Sequence, residues 1–166
     1  EIFIARLGFA VPTPASIEAI RPYAPLVEVG AGSGYWAYEL RRAGIKVAAT
    51  DPGTGKYRHH RGGEDSPSGH WTEFWVDIER LNALEAVRAY PDWNLLVVWP
   101  DLDAAWPREA LAACGGEWAL YVGEGRGGCT ADNGFHDLLD SAFTEEKVSD
   151  LPQFYGLHDR LMIYRR

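Results

Sequence analysis

Three glycines stand at alternate positions, Gly30, Gly32 and Gly34, directly behind the apolar run Leu26-Val27-Glu28-Val29. The pattern reads as a buried strand that enters a tight turn and then a helix beginning near Ser33. Glycine is needed where the backbone takes conformations closed to a Cβ, or where a ligand approaches the main chain. The helix start behind the turn offers free N–H groups and a partial positive charge. This is chemistry for holding a nucleotide-type ligand. Asp51 follows at the end of a second apolar strand, Ile45 to Thr50. An acid about 20 residues after the turn suits a bidentate acceptor for ribose hydroxyls. Asp-Pro-Gly at the same place also serves as a turn cap.

Spacing separates the two cofactor classes that use such turns. The dinucleotide fingerprint is G-x-G-x-x-G, and its third glycine falls here on Tyr35. A large aromatic at that point argues against a pyrophosphate. The pattern Glu28-x-Gly30-x-Gly32-x-Gly34 instead resembles motif I of the class I S-adenosylmethionine (SAM) dependent methyltransferases. That resemblance implies a Rossmann-like, doubly wound α/β fold. Its sheet is mostly parallel and seven-stranded with an antiparallel last strand, and helices cover both faces. The resemblance also implies that Glu28 helps hold the methionine end of SAM, with Gly30, Ala31, Gly32, Gly34 and Tyr35 against the cofactor and Asp51 on its ribose.

The remaining elements are read from periodicity and breakers. A lead-in segment spans residues 1–25, where Ser16 caps a short helix through Ile20 that ends at Pro22 and Pro25. Trp36, Leu40 and Ala43 form the buried stripe of the next helix, closed by Gly44 at C′. Residues 53–69 are an irregular loop. Within it lies Lys56-Tyr57-Arg58-His59-His60-Arg61, the concentrated basic stretch of an acidic chain. It reads as a solvated loop or as a lid and acceptor-recognition segment, with Tyr57 and the following Trp71 toward the acceptor. The adjacent histidines lack the cysteine or histidine partners of a metal site, so no metal is expected.

Trp71 to Val76 reads as a third strand ending at Asp77, and Asp77-Ile78 matches the family position that contacts adenine. A helix from Glu79 to Tyr90 follows. Asn94 to Val98 is an unbroken apolar run, as in a central strand buried on both faces, and it ends in Trp99-Pro100-Asp101. Ligands bind at such strand ends in open α/β sheets. Motif IV of the methyltransferases lies here. Trp99 replaces its leading polar residue and Asp101 its second proline, a departure from the amino-methylating pattern. Trp99 is assigned to the cofactor wall, Pro100 to the acceptor side, and Asp101 to orienting a nucleophile or taking its proton.

Pro107 to Ala113 reads as a short helix. A fifth strand, Trp118 to Gly123, runs into Glu124, the second candidate base. The glycine turn Gly125 to Thr130, carrying Arg126, shapes an acceptor pocket, and Thr130 caps a helix over 131–143. Cys129 there is not needed as a nucleophile, and His136 ranks third as a base. Glu145 to Ser149 and His158 to Arg165 read as the last two strands.

At 166 residues the chain is one domain over 1–166. No apolar run reaches membrane-spanning length. The net charge of −8 argues against a general nucleic-acid surface while leaving room for a local one. Two cysteines and no visible secretory signal fit a reducing cytoplasm. The sequence begins at Glu1 rather than methionine, which leaves a preceding stretch open. Seven tryptophans suggest aromatics committed to a ligand site.

The resemblance implies in-line transfer of the sulfonium methyl to an O or N nucleophile. The acidic, aromatic-rich composition favours a small organic acceptor. A peptide, protein or RNA acceptor, or a SAM-binding partner subunit without turnover, are the alternatives. A dehydrogenase ranks last because of Tyr35.

Overall fold

The computed structural model describes residues 7–53 and 74–166. Tyr57, Trp71, the basic stretch and most of the 53–69 loop lie outside the described residues.

Helix α1 spans Pro14–Ile20 and is followed by a 3-10 turn at Arg21–Tyr23. Its cap is Thr13 rather than Ser16. Thr13 Oγ1 accepts from the Ser16 N–H at 3.1 Å, and Ser16 Oγ accepts from the Thr13 N–H at 2.9 Å. Ser16 is therefore the N3 half of a reciprocal capping pair. Strand β1 is Leu26–Val29, α2 is Tyr35–Arg42 and β2 is Val47–Thr50. Gly44 closes α2 as expected, with φ +76°. Gly44 N–H reaches Arg41 O at 2.9 Å and Ile45 N–H reaches Leu40 O at 3.0 Å, the two bonds of a Schellman motif.

Beyond residue 74 come α3 (Ala83–Ala89), β3 (Asn94–Val98), α4 (Trp106–Ala113) and β4 (Trp118–Gly123), then α5 (Asn133–Ala142), β5 (Thr144–Asp150) and β6 (Arg160–Arg165). Helix α3 is shorter than the 79–90 expected. Asn82 caps it in a reciprocal pair with Glu85, and that pairing fixes where the helix can begin.

The strands form one sheet in the order β2-β1-β3-β4-β6-β5. Strands β1 to β4 are parallel, β6 runs antiparallel beside β4, and β5 runs antiparallel beside β6. Alternate residues feed opposite faces. Val27, Leu95, Val97 and Tyr121 pack with α3, α4 and α5. Leu26, Leu96, Leu120 and Val122 pack with α1 and α2. The fold is a Rossmann-like, doubly wound α/β sheet with helices on both faces.

The expected strand count is corrected from seven to six among the described residues. Phe74–Val76 form no strand. The Trp75 N–H donates to Ser33 O at 2.9 Å, and the Trp75 ring packs on Tyr35 and Tyr38 of α2 at 5.2 and 5.1 Å. Aromatic packing draws this stretch over the start of α2 instead of along β2. One bridge is left at the margin. Glu79 N–H reaches Ala49 O, and Asp51 N–H reaches Glu79 O.

At the other margin β5 is exposed along nearly its whole length, and its register with β6 shifts between Glu145 and Lys147.

Candidate ligand cleft at the carboxyl ends of the strands

The glycine turn joins β1 to α2 in the conformation its composition requires. Gly30, Gly32 and Gly34 have φ of +72°, +57° and +75°. A Cβ at Gly30 would stand 2.6 Å from the Trp106 ring, and one at Gly34 would stand 2.6 Å from Val76 Cγ2. The turn is pinned to β2. Ala31 N–H donates to Thr50 O at 2.9 Å, Gly32 N–H to Asp51 Oδ2 at 3.0 Å, and Thr50 Oγ1 to Glu28 O at 2.8 Å.

Beside the turn opens a cleft. Glu28, Gly30, Ala31, Gly32, Tyr35 and Trp99 all border it. Gly8, Phe9, Ser33, Trp36 and Val98 border it as well. Six of the residues singled out in the sequence therefore share one wall system. Phe9 and Ser33 carried no signal of their own, because one lay in an unpatterned lead-in segment and the other inside the glycine run.

Glu28 is 1% exposed, and its Oε2 has no hydrogen-bond partner. Burial pushes its carboxyl up to about 8, the nearby Asp51 charge acts in the same direction, and the Ala37 N–H and Arg41 oppose it. Asp51 is also raised by burial, against the pull of the Gly53 and Gly32 N–H groups. Each of its oxygens accepts one of those N–H groups, at 2.7 and 3.0 Å. A carboxylate carries about four lone-pair sites, so acceptor capacity remains. Asp77 is exposed, while its neighbour Ile78 lies against Gly34.

Trp99 follows β3 with φ +46°, an uncommon conformation for a bulky residue. Its N–H donates to Val122 O at 2.7 Å, its Nε1–H donates to Asp159 Oδ1 at 2.7 Å, and Phe9 stacks on its ring at 4.4 Å. Pro100 behind it is buried. Asp101 opens a loop that pairs with 130–131 through a bridge between Leu102 and Ala131, and Ala104 N–H donates to Asp101 O at 3.2 Å.

Glu124, at the end of β4, is committed on both oxygens. Oε2 accepts from the Cys129 N–H at 2.7 Å and its thiol at 2.9 Å, and Oε1 accepts from the His158 N–H at 2.8 Å. Burial alone would raise this carboxyl, but the hydrogen bonds from Cys129 and His158 outweigh it and hold it below the usual range. Burial, and then the bond to Glu124, push the Cys129 thiol up to about 11, so it stays protonated near neutrality. Arg126 pairs with Asp137 and Asp140 on α5 at 2.9 and 2.7 Å.

The cap of α5 is Asp132, whose carboxylate accepts from the Phe135 N–H at 2.6 Å. Thr130 does not cap it, because its Oγ1 accepts the Glu124 N–H at 3.0 Å and bonds the Tyr121 hydroxyl. His136 is buried against Tyr121 and Phe135.

Asp159 is the functional candidate that pattern reading missed. It is fully buried, and its Oδ2 has no partner. Its carboxyl is raised by burial, opposed by the Trp99 bond, and raised again by Glu124. In the sequence it sits within His158-Asp159-Arg160, which reads as an ordinary hydrogen-bonded strand end.

Among the described residues no group of three or more His, Cys, Asp or Glu is placed to hold a metal ion. None of their helices is long and apolar enough to cross a membrane.

No family model matches the chain, and no curated protein matches it. Solved structures do. The chain is similar to magnesium protoporphyrin IX methyltransferase from Synechocystis PCC 6803 with bound SAM, at 9% identity, 92% of this chain, 78% of that one and TM-score 0.55. It is similar to a SAM dependent methyltransferase from Archaeoglobus fulgidus, at 13% identity, 92% of each chain and TM-score 0.55. It is similar to TrmN from Thermus thermophilus, at 15% identity, 92% of this chain, 47% of that one and TM-score 0.53. The chain has the fold of the class I SAM-dependent methyltransferases.

Proposed function

We propose that this protein is a SAM-dependent methyltransferase acting on an O or N nucleophile of a small organic acceptor. One observation carries the cofactor assignment. Glu28 places a buried carboxyl with an unpartnered oxygen beside a glycine turn in which a Cβ at Gly30 or Gly34 would clash with packed side chains. A buried carboxyl in that state is costly unless a donor or cation meets it, and the α-ammonium of SAM is such a group. Gly30, Ala31, Gly32, Gly34 and Tyr35 cradle the cofactor, Asp51 takes the ribose hydroxyls through its remaining lone pairs, and Asp77 with Ile78 meets the adenine.

When bound, SAM would supply an activated sulfonium methyl to the acceptor. The chain's own residues mainly orient the reactants and exclude water. Phe9, Tyr35, Trp36 and Trp99 give the cleft an aromatic lining suited to a small acceptor. Where that acceptor keeps a proton at neutral pH, Asp101 receives it. Glu124 holds its loop together, because both of its oxygens are engaged, and it stands second as the base.

Calorimetric titration with SAM, S-adenosylhomocysteine and NAD, side by side, tests the reading. Micromolar binding of both sulfur ligands is expected, with none for NAD. Asp51→Ala should weaken it at least about tenfold, through loss of a carboxylate hydrogen bond. Binding of NAD alone would end the methyltransferase assignment. In a methyl-transfer assay over acceptor pools, Asp101→Asn should retain SAM affinity and lose about a hundredfold in turnover. Turnover unchanged in Asp101→Asn would remove Asp101 from the chemistry. No turnover in either form would favour a SAM-binding subunit.

A further inference from the structure

We infer that Asp159, acting through the indole of Trp99, makes the cleft favour a cationic sulfonium over the neutral thioether that remains after transfer. The inference rests on the SAM reading above and adds a specificity-determining residue to it.

A fully buried acid with only one of its oxygens bonded gains little for the fold, because an unmet buried polar atom is penalised. Its surroundings do not neutralise it. Glu124 repels it, and the imidazole that offsets it, His158, is largely exposed. What Asp159 does hold is the donor edge of an aromatic ring. Trp99 is fixed by its N–H on Val122 O, by the Phe9 ring, and by the 2.7 Å bond from Nε1 to Asp159 Oδ1. That many restraints on a residue in a sparsely allowed conformation point to a role at the cleft it borders. A carboxylate on the indole N–H makes a charge-assisted bond. It pushes electron density into the ring and adds its own negative field to a low-dielectric wall. Both effects strengthen attraction for a cation at the ring.

Glu28 cannot supply this discrimination. SAM and S-adenosylhomocysteine carry the same ammonium and differ in charge at sulfur alone. A group that senses the sulfur must act elsewhere in the cleft, and Trp99, whose indole N–H is held by Asp159, is an aromatic wall of that cleft. The spent cofactor is then held less tightly than the fresh one, which favours its exchange after transfer.

The test compares affinities of the intact protein for SAM and for S-adenosylhomocysteine in wild type, Asp159→Asn and Trp99→Phe. Asn keeps an acceptor for the indole and removes the charge. Phe keeps an aromatic ring and removes the donor. Each variant should lose about fivefold in SAM affinity, with S-adenosylhomocysteine binding held to within about twofold of wild type. Equal losses for both ligands, or no loss, would overturn the inference and leave Asp159 a structural residue. Should Asp159→Asn fail to fold, Trp99→Phe decides by the same ratio. If wild type binds neither ligand, the SAM reading itself is wrong and the inference goes with it.

Discussion

Gly30→Ala should cost this protein about 3 kcal/mol and with it most of its ligand binding. Two penalties add. An L-residue held at φ +72° pays about 1–2 kcal/mol for its backbone. The new methyl also stands 2.6 Å from a ring carbon of Trp106, and overpacking of this kind costs about 1–3 kcal/mol. At this chain length the midpoint of thermal unfolding should fall by about 10 °C. Trp106→Leu in the Gly30→Ala background separates the terms. The double variant should recover the packing part and keep the backbone part. Full recovery would mean the positive φ is not a constraint. No recovery would mean the helix and the turn do not press on one another. The experiment also revises why the first glycine is there. The sequence suggests a ligand as the reason, and the structure adds the indole at the start of α4.

The second large effect is a pH dependence. Glu28 titrates near 4.5 in the unfolded chain and at about 8 in the native one. Between those values the native state binds the extra proton, so stability is fully present below about pH 4.5 and declines as pH rises to about 8. The slope is about 1.4 kcal/mol per pH unit, and above about 8 it levels off. Asp51 and Asp159 are raised as well and act in the same direction from a lower starting point. Glu124 is lowered and acts oppositely at acid pH. Chemical denaturation of the ligand-free protein across pH 5 to 8 reads this out. Glu28→Gln should flatten the upper part of the curve. An unchanged slope in that variant would assign the proton to another group.

The outline of the fold was legible because its signals are local. Apolar runs ended by acids marked β1, β2 and β3, and Gly44 marked the end of α2 by a backbone conformation few other residues tolerate. What escaped depends on contacts between distant segments. The stretch before Asp77 has the composition of a strand, yet Trp75 prefers the Tyr35 and Tyr38 rings, and no window along the chain records that choice. Thr130 has the right type for a cap, but Glu124 and Tyr121 claim its hydroxyl first. The site divides in the same way. The glycine turn and Asp51 announce themselves by spacing, whereas Asp159 meets Trp99 across 60 positions. Phe9 reaches the same ring from a segment with no periodicity at all.

The sheet also has a bearing on how the molecule keeps company. At one margin β2 is buried in all four residues and is met by the Glu79 bridge. At the other, β5 presents Glu145, Glu146, Lys147 and Asp150 on an exposed, register-shifted strand. Charges and irregular register make a poor template for another chain's backbone. Neither flank invites a neighbour to extend the sheet. Crowded copies are therefore steered away from fibrous pairing.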